Sequence, residues 1–329
     1  MKNKITRMLR AASFASAFVV ACSGAQALTL PAVTNCGYGG SLSNLLCYEP
    51  SPGVKIYVAS QHDEFISYSV NALQTLTNSF GYTGLSEWSN LPSFGSGQIV
   101  KLFSFNNSNN GTFPDATGGT GDNPPSSDGD QTANHDGLYF GEWPFGTSDF
   151  VTVAELQTFL GSSLFTPIFS FDLNNRKDLL LNGQLQVRAA GGATLDTFAF
   201  DNVFNGAYDQ GSLVLAQDTV TVQWIDPTNT SSGCNQVTDL CTMLVDNNTG
   251  SGKPDFFAYS PTFDLRNYAD SDRLYFALRM SGLDGGGEEL ALTNLLTPPG
   301  INVPEPGVLV LLAIGLAGVN AARRMKKFA

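Results

Sequence analysis

The chain has 329 residues, with 17 Lys and Arg against 29 Asp and Glu and a formal net charge of −12. The imbalance gathers in the interior: four basic residues precede Ala27 and four follow Ala322, so residues 28–306 keep nine basic side chains against all 29 acidic ones. A segment this acidic repels nucleic acid and anionic lipid, which excludes DNA or RNA as a partner and makes divalent cations the natural counter-ions.

The N-terminus carries Lys2, Lys4, Arg7 and Arg10 ahead of an apolar run from Ala11 to Ala21. Ala25-Gln26-Ala27 then offers small residues at the two positions a signal peptidase reads, so residues 1–27 read as a secretory signal peptide cleaved after Ala27. A rival reading lies in Val19-Val20-Ala21-Cys22, which resembles a lipobox and would leave Cys22 as an acylated N-terminus. Removing Cys22 with the signal turns five cysteines into the even set Cys36, Cys47, Cys234 and Cys241, which suits disulfides in an oxidising compartment. Of the three pairings open to four thiols, short separations favour Cys36 with Cys47 and Cys234 with Cys241. The first would close a glycine-rich loop of about a dozen residues and add roughly 3 kcal/mol on the chain-entropy argument.

Val54 to Val58 reads as a short strand. Ile66, Val70, Leu73, Leu76 and Phe80 then recur at helical spacing, with His62-Asp63-Glu64 ahead of them where acidic groups suit the helix dipole. The same stretch also alternates at Ile66, Tyr68 and Val70, a competing strand signal. Gln98 to Phe105 reads as a strand with Ile99, Lys101, Phe103 and Phe105 on one face. Asn106 to Gly137 is dominated by Asn, Gly, Ser, Asp, Pro and Thr and reads as a long surface loop. Thr152-Val153-Ala154-Glu155 is a capping box, and Gly161 supplies the stop for a short helix between them.

From Pro167 the period changes to two. Strands are expected at Ile168–Leu173, Gln184–Ala189, Thr194–Phe200, Ser212–Ala216, Thr219–Ile225, Met243–Val245, Asp255–Tyr259, Arg273–Met280 and Glu288–Thr293. Turn residues separate nearly every pair, and no parallel βαβ pattern competes. The expected fold is all-β: an antiparallel sandwich or jelly roll with one or two short helices, spanning residues 28–302 and with a sub-boundary possible near 162–167.

Signatures of catalysis are absent from the sequence. His62 and His135 are the two histidines, neither in a metal-ligand spacing, and no GxSxG elbow, Walker loop or GxGxxG appears. A glycosidase needs only two carboxylates about 5 to 10 Å apart, and the sequence selects no pair for that role. The expectation is a protein that is not an enzyme. The stretch Asn247 to Asp255 resembles the DxDxDGxxD calcium loops of adhesive bacterial proteins, with candidate oxygen ligands at Asn247, Thr249, Ser251 and Asp255. Neutral residues replace its leading aspartates, which weakens attraction for a hard cation, and a hairpin loop is the competing reading. Asp128 and Asp130, in the cluster from Asp122 to Asp136, are a second candidate for Ca2+. Trp88 and Trp143 lie beside Gly- and Pro-rich loops where a sugar face could be met, whereas Trp224 alternates with strand residues and is expected in the core.

The last residues have three parts in fixed order. Val303, Pro304, Glu305 and Pro306 form a stiff hinge, since each proline locks φ and removes a donor. Gly307 to Ala322 is uncharged, and Arg323, Arg324, Lys326 and Lys327 follow as a basic stop, the pattern of a short single transmembrane helix in the inner membrane. This tail, residues 303–329, resembles the PEP-CTERM sorting signal of Gram-negative bacteria. The resemblance implies recognition and processing by an exosortase, after signal peptidase at the other end, and delivery to the cell surface or extracellular matrix. The resemblance speaks to delivery; for the ectodomain itself the expectation is a structural or adhesive role with exopolysaccharide or biofilm, with a calcium-assisted carbohydrate-binding module as the alternative and a glycoside-active enzyme as the third reading.

Overall fold

A computed structural model of the chain describes residues 28–35, 44–80, 91, 99–106, 111–113, 139–140, 150–161, 164–173, 178–209, 211–216, 219–225, 241–249, 252–283 and 287–299. Leu28–Gly300 cluster as one compact unit. The chain is mostly β, in antiparallel sheets, as its alternating apolar pattern dictates.

Among the described residues the larger sheet has ten strands. It holds β2 (Val33–Thr34), β3 (Leu45–Ser51), β4 (Val54–Gln61), β5 (Ile66–Ser69), β6 (Ile99–Asn106), β10 (Ile168–Asp172), β14 (Thr219–Ile225), β15 (Cys241–Asp246), β16 (Phe256–Tyr259) and β18 (Gly287–Thr293). Its main path runs β15-β14-β4-β5-β16-β10-β18-β6, with β3 on the other edge of β4. The smaller sheet, seven strands among the described residues, is built on β11 (Leu179–Arg188) and β17 (Arg273–Leu283). β12 (Thr194–Phe200) and β13 (Val214–Ala216) pair with β11, while β7 (Gly111–Phe113), β8 (Tyr139–Phe140) and β9 (Val151–Thr152) pair with successive parts of β17.

The sheets face each other through aromatic rings. Phe169 of β10 stacks on Phe276 of β17 at 4.4 Å between centroids, and Phe171 stacks on Phe200 of β12 at 6.2 Å. Such pairs add roughly 0.5–1.5 kcal/mol beyond their area burial. The opposite face of the larger sheet buries Ile56, Tyr68, Phe257 and Ile168 against Val70 and Leu73 of the helix Val70–Phe80. β10 is therefore buried along its whole length, including Ser170 and Asp172, which share a face with Ile168.

Leu30 and Leu296 join that second core. They are held there by β1 (Leu28–Thr29) and β19 (Leu296–Thr297), which form a parallel pair. This parallel contact departs from the all-antiparallel expectation. It arises because the two ends of the compact unit meet, so no crossover helix is required.

Four further expectations are corrected. Ile66–Ser69 is strand, and the helix begins only at Val70: lateral bonding to β4 and β16 outweighs the helical spacing of Ile66. Asp63 and Glu64 consequently serve no helix dipole, and accept instead from the amides of Gly206 and Ala199. Within the 106–137 stretch expected as loop, Gly111–Phe113 is a strand, because the end of β17 offers it a free edge. In β6 the expected alternation breaks: a bulge places Leu102 between residues paired with Leu290 and Ala291, and Ile99 and Leu102, three positions apart, are both buried.

The helix Val153–Leu160 forms as its capping box requires. Thr152 Oγ1 accepts from the Glu155 amide at 3.3 Å, Glu155 Oε2 accepts from the Thr152 amide at 2.9 Å, and Gly161 ends it at φ 87. Val153, Leu156 and Leu160 are its buried side.

Candidate functional site

Several residues marked from sequence lie outside the described residues: Val303 to Pro306, Arg323, Arg324, Lys326, Lys327, the segment between them, the signal peptide, Cys36, Cys234, Ser251, Asp128, Asp130, Trp88 and Trp143. Among the described residues no helix is long and apolar enough to cross a membrane. Cys47 and Cys241 are both buried, on β3 and β15. β4 and β14 run between them, a separation on the order of 14 Å at the usual strand spacing. That is beyond the reach of a bridge from one to the other. Trp224 is buried in the core, as its alternation implied.

Asn247, Thr249 and Asp255 come together, and their oxygens turn inward. Asp255 Oδ1 accepts from the Thr249 amide at 2.6 Å and from Thr249 Oγ1 at 2.8 Å, and Oδ2 accepts from the Leu173 amide at 2.8 Å. Asn247 Oδ1 accepts from Ser69 Oγ at 2.5 Å. Gly252, at φ 80, donates its amide to Asp172 Oδ2 at 2.5 Å. Burial pushes the Asp255 carboxyl up to about 6, while its backbone and threonine donors pull the other way. The arrangement fastens the turn to β5 and β10. Among the described residues no group of three or more His, Cys, Asp or Glu side chains is placed to hold a metal ion.

A second polar cluster, passed over in the sequence, lies between the sheets. A bulge at Val58 shifts the phase of β4, so Ser60 stands beside Ser67, which stands beside Ala258 of β16. Small side chains in one lateral row leave space under the smaller sheet. The result is a cavity of about 100 Å³ walled largely by Phe171, Phe200, Leu181, Val214 and Ala216, with His62 and Ser67 on one side. His62 is buried and donates and accepts in sequence: Nε2 lies 2.8 Å from Ser67 Oγ and Nδ1 lies 3.2 Å from Asn202 Oδ1. Phe200 meets the ring edge-on at 5.0 Å.

The tautomer follows from the amide. Asn202 Nδ2 donates to the Leu213 carbonyl at 2.9 Å, so the atom facing His62 is an oxygen that can only accept. The imidazole hydrogen therefore sits on Nδ1, and the Nε2 lone pair receives the Ser67 hydroxyl. Burial holds the His62 pKa down at about 4, with the Asn202 bond opposing, so the ring is neutral at physiological pH. Nothing in the sequence linked these groups, since Asn202 lies 140 positions from His62. The available signal was the scarcity of histidine, with one of two placed directly after a strand.

The described fold defines an all-β ectodomain with a closed core, and its class of delivery comes from the tail. The family profile described as the PEP-CTERM protein-sorting motif matches residues 302–327. The chain thus carries a PEP-CTERM sorting motif, the mark of exported proteins whose membrane-anchored precursor is sorted to the cell surface through an exosortase. No curated protein and no solved structure matches the chain significantly.

Proposed function

We propose that the protein is a structural or adhesive component of the cell surface or extracellular matrix, associated with exopolysaccharide in biofilm and released from its precursor by exosortase cleavage at Pro304-Glu305-Pro306. The observation that carries this reading is the sorting motif directly following a β-rich ectodomain. Extended antiparallel sheets offer broad faces and edges for contact, as a matrix component requires. Mass spectrometry of the mature protein should find a C-terminus near Pro304 and no peptide from Leu309 to Ala322. Recovery of the intact Arg323 to Ala329 end from the surface-exposed pool would overturn the processing step, and wild-type matrix and cell adhesion after deletion of the gene would overturn the role.

Disulfides belong to the same reading. Cys36 with Cys47 and Cys234 with Cys241 is the pairing supported by short sequence separation and by the strands lying between Cys47 and Cys241. Each bridge would pin a peripheral segment to the larger sheet. Non-reducing peptide mapping of exported protein checks it, and a Cys36–Cys241 peptide would overturn it.

A further inference from the structure

We propose that Ser67 is an acyl-accepting nucleophile, with His62 as its general base and Asn202 as the positioning residue, acting on short-chain carboxylic esters seated in the cavity between the sheets. The inference stands apart from delivery to the surface, and either can fail without the other.

Three observations carry it. The chain of contacts from Ser67 Oγ to His62 Nε2 at 2.8 Å and from Nδ1 to Asn202 Oδ1 at 3.2 Å is a nucleophile, base and orienting group in hydrogen-bond reach. The orientation is over-determined: the Asn202 amide is locked by the Leu213 carbonyl and the imidazole by Phe200, so the lone pair on Nε2 has one address. Finally, Ser67 is half-buried and lines the cavity beside the buried His62, whereas Asn202 is exposed and stands outside the lining.

Ser69 provides an internal control. It lines the same cavity from the same strand, yet its hydroxyl donates to Asn247 Oδ1 and accepts from the Ala72 amide. Its bonding capacity is used for structure. Ser67 gives its hydrogen to a base and keeps oxygen lone pairs for an incoming carbon.

The cavity sets the ligand class. Its walls are mostly apolar and carry no Lys or Arg, and the one histidine among them is neutral, so a charged carboxylate or phosphate finds no counter-charge there, while a hydrocarbon acyl group of a few carbons is desolvated favourably. In the reaction, Ser67 Oγ bonds to the ester carbonyl carbon as its proton passes to His62 Nε2. The bond from that carbon to the alcohol oxygen then breaks, and the departing alcohol takes the proton back from the imidazolium. The products are an ester on Ser67, neutral His62 and free alcohol; water entering by the same proton route releases the acid.

The test uses the full-length chain in detergent, treated with an alkyl fluorophosphonate and mapped by peptide mass spectrometry. The expected adduct is on Ser67 and not on Ser60 or Ser69, forms at least tenfold more slowly in His62→Gln, and is suppressed by a short-chain butyrate ester. Ala216→Leu, which adds bulk to the cavity wall and leaves the Ser67–His62–Asn202 residues in place, should also slow it at least tenfold. Circular dichroism confirms that each variant is folded. No adduct on Ser67 in folded wild-type protein, or an adduct formed equally fast in His62→Gln, would overturn the proposal.

Discussion

Two buried polar corners of this ectodomain have opposite designs. At Asp255 both carboxylate oxygens accept from protein donors, the Thr249 amide and hydroxyl and the Leu173 amide, while the Gly252 amide donates to Asp172. At His62 the chain of bonds ends in Ser67, a hydroxyl on the wall of an apolar cavity. The difference teaches how to separate a fastening from a site. A cluster that saturates itself stabilises the fold and has nothing left for a ligand, whereas one that ends at a cavity keeps a reactive atom in reserve.

The sharpest way to break this comparison is to remove the carboxylate. Asp255→Ala strands the Leu173 amide and two Thr249 donors, and an unsatisfied buried donor costs about 1–3 kcal/mol. Asp255→Ala is therefore expected to destabilise the ectodomain by about 3 kcal/mol or more in urea titrations. A loss under 1 kcal/mol would mean that water replaces the carboxylate and the corner is open.

The corners should also respond to acid with opposite signs. The His62 pKa is lowered from 6.5 to about 4, so the unfolded chain binds the extra proton and stability present above pH 6.5 is lost as pH falls toward 4. The full loss is about 3 kcal/mol at 1.36 kcal/mol per unit. Asp255 is raised from 3.8 to about 6, so its contribution is present below pH 3.8 and is lost as pH rises through 6. Glu64 and Asp201, both raised chiefly by burial, add to the Asp255 side. In the wild type the two tendencies oppose each other across one window. His62→Gln should gain relative stability on acidification from pH 7 to 4.5, and Asp255→Asn should lose it. Parallel pH profiles for the two variants would refute the assignment.

Smaller effects sharpen the contrast. Thr249→Val removes one hydroxyl donor to Asp255 and should cost about 1 kcal/mol in thermal or urea unfolding. Ser67→Ala deletes a group whose one side-chain partner among the described residues is His62 Nε2, and should change stability by less than about 1 kcal/mol while abolishing the fluorophosphonate adduct. A Ser67→Ala loss as large as that of Asp255→Ala would make Ser67 a fastening too.

Much of the second half of the fold was legible in the sequence. Thr194–Phe200 and Thr219–Ile225 form strands with the expected limits, and the Thr152 capping box closes as its spacing dictates. These are local signals, written in adjacent residues. The first half was harder to read because its decisive bonds are distant: Ile66–Ser69 looks helical until β4 and β16 claim it, and Leu45–Ser51 becomes strand through its hairpin with β4. The cavity was invisible for the same reason. It depends on a bulge at Val58, on three small residues aligned across three strands, and on Asn202 reaching His62 from the loop that follows β12. The tail needed no tertiary information, since its hinge, apolar run and basic end lie in order along the chain.

The parallel pair of β1 and β19 has a mechanical consequence. Leu28 donates its amide to Leu295 and Leu30 donates to Thr297, while Thr29 and Thr297 join their hydroxyls at 2.9 Å. Because the strands run in the same direction, tension drawing the segment before Leu28 away from the segment after Thr297 slides one strand along the other. Both amide bonds then bear load together in shear, where an antiparallel pair pulled from its open end would unzip one bond at a time. An ectodomain tugged by its two ends would yield first at this latch, and Leu30 and Leu296 would leave the core with it.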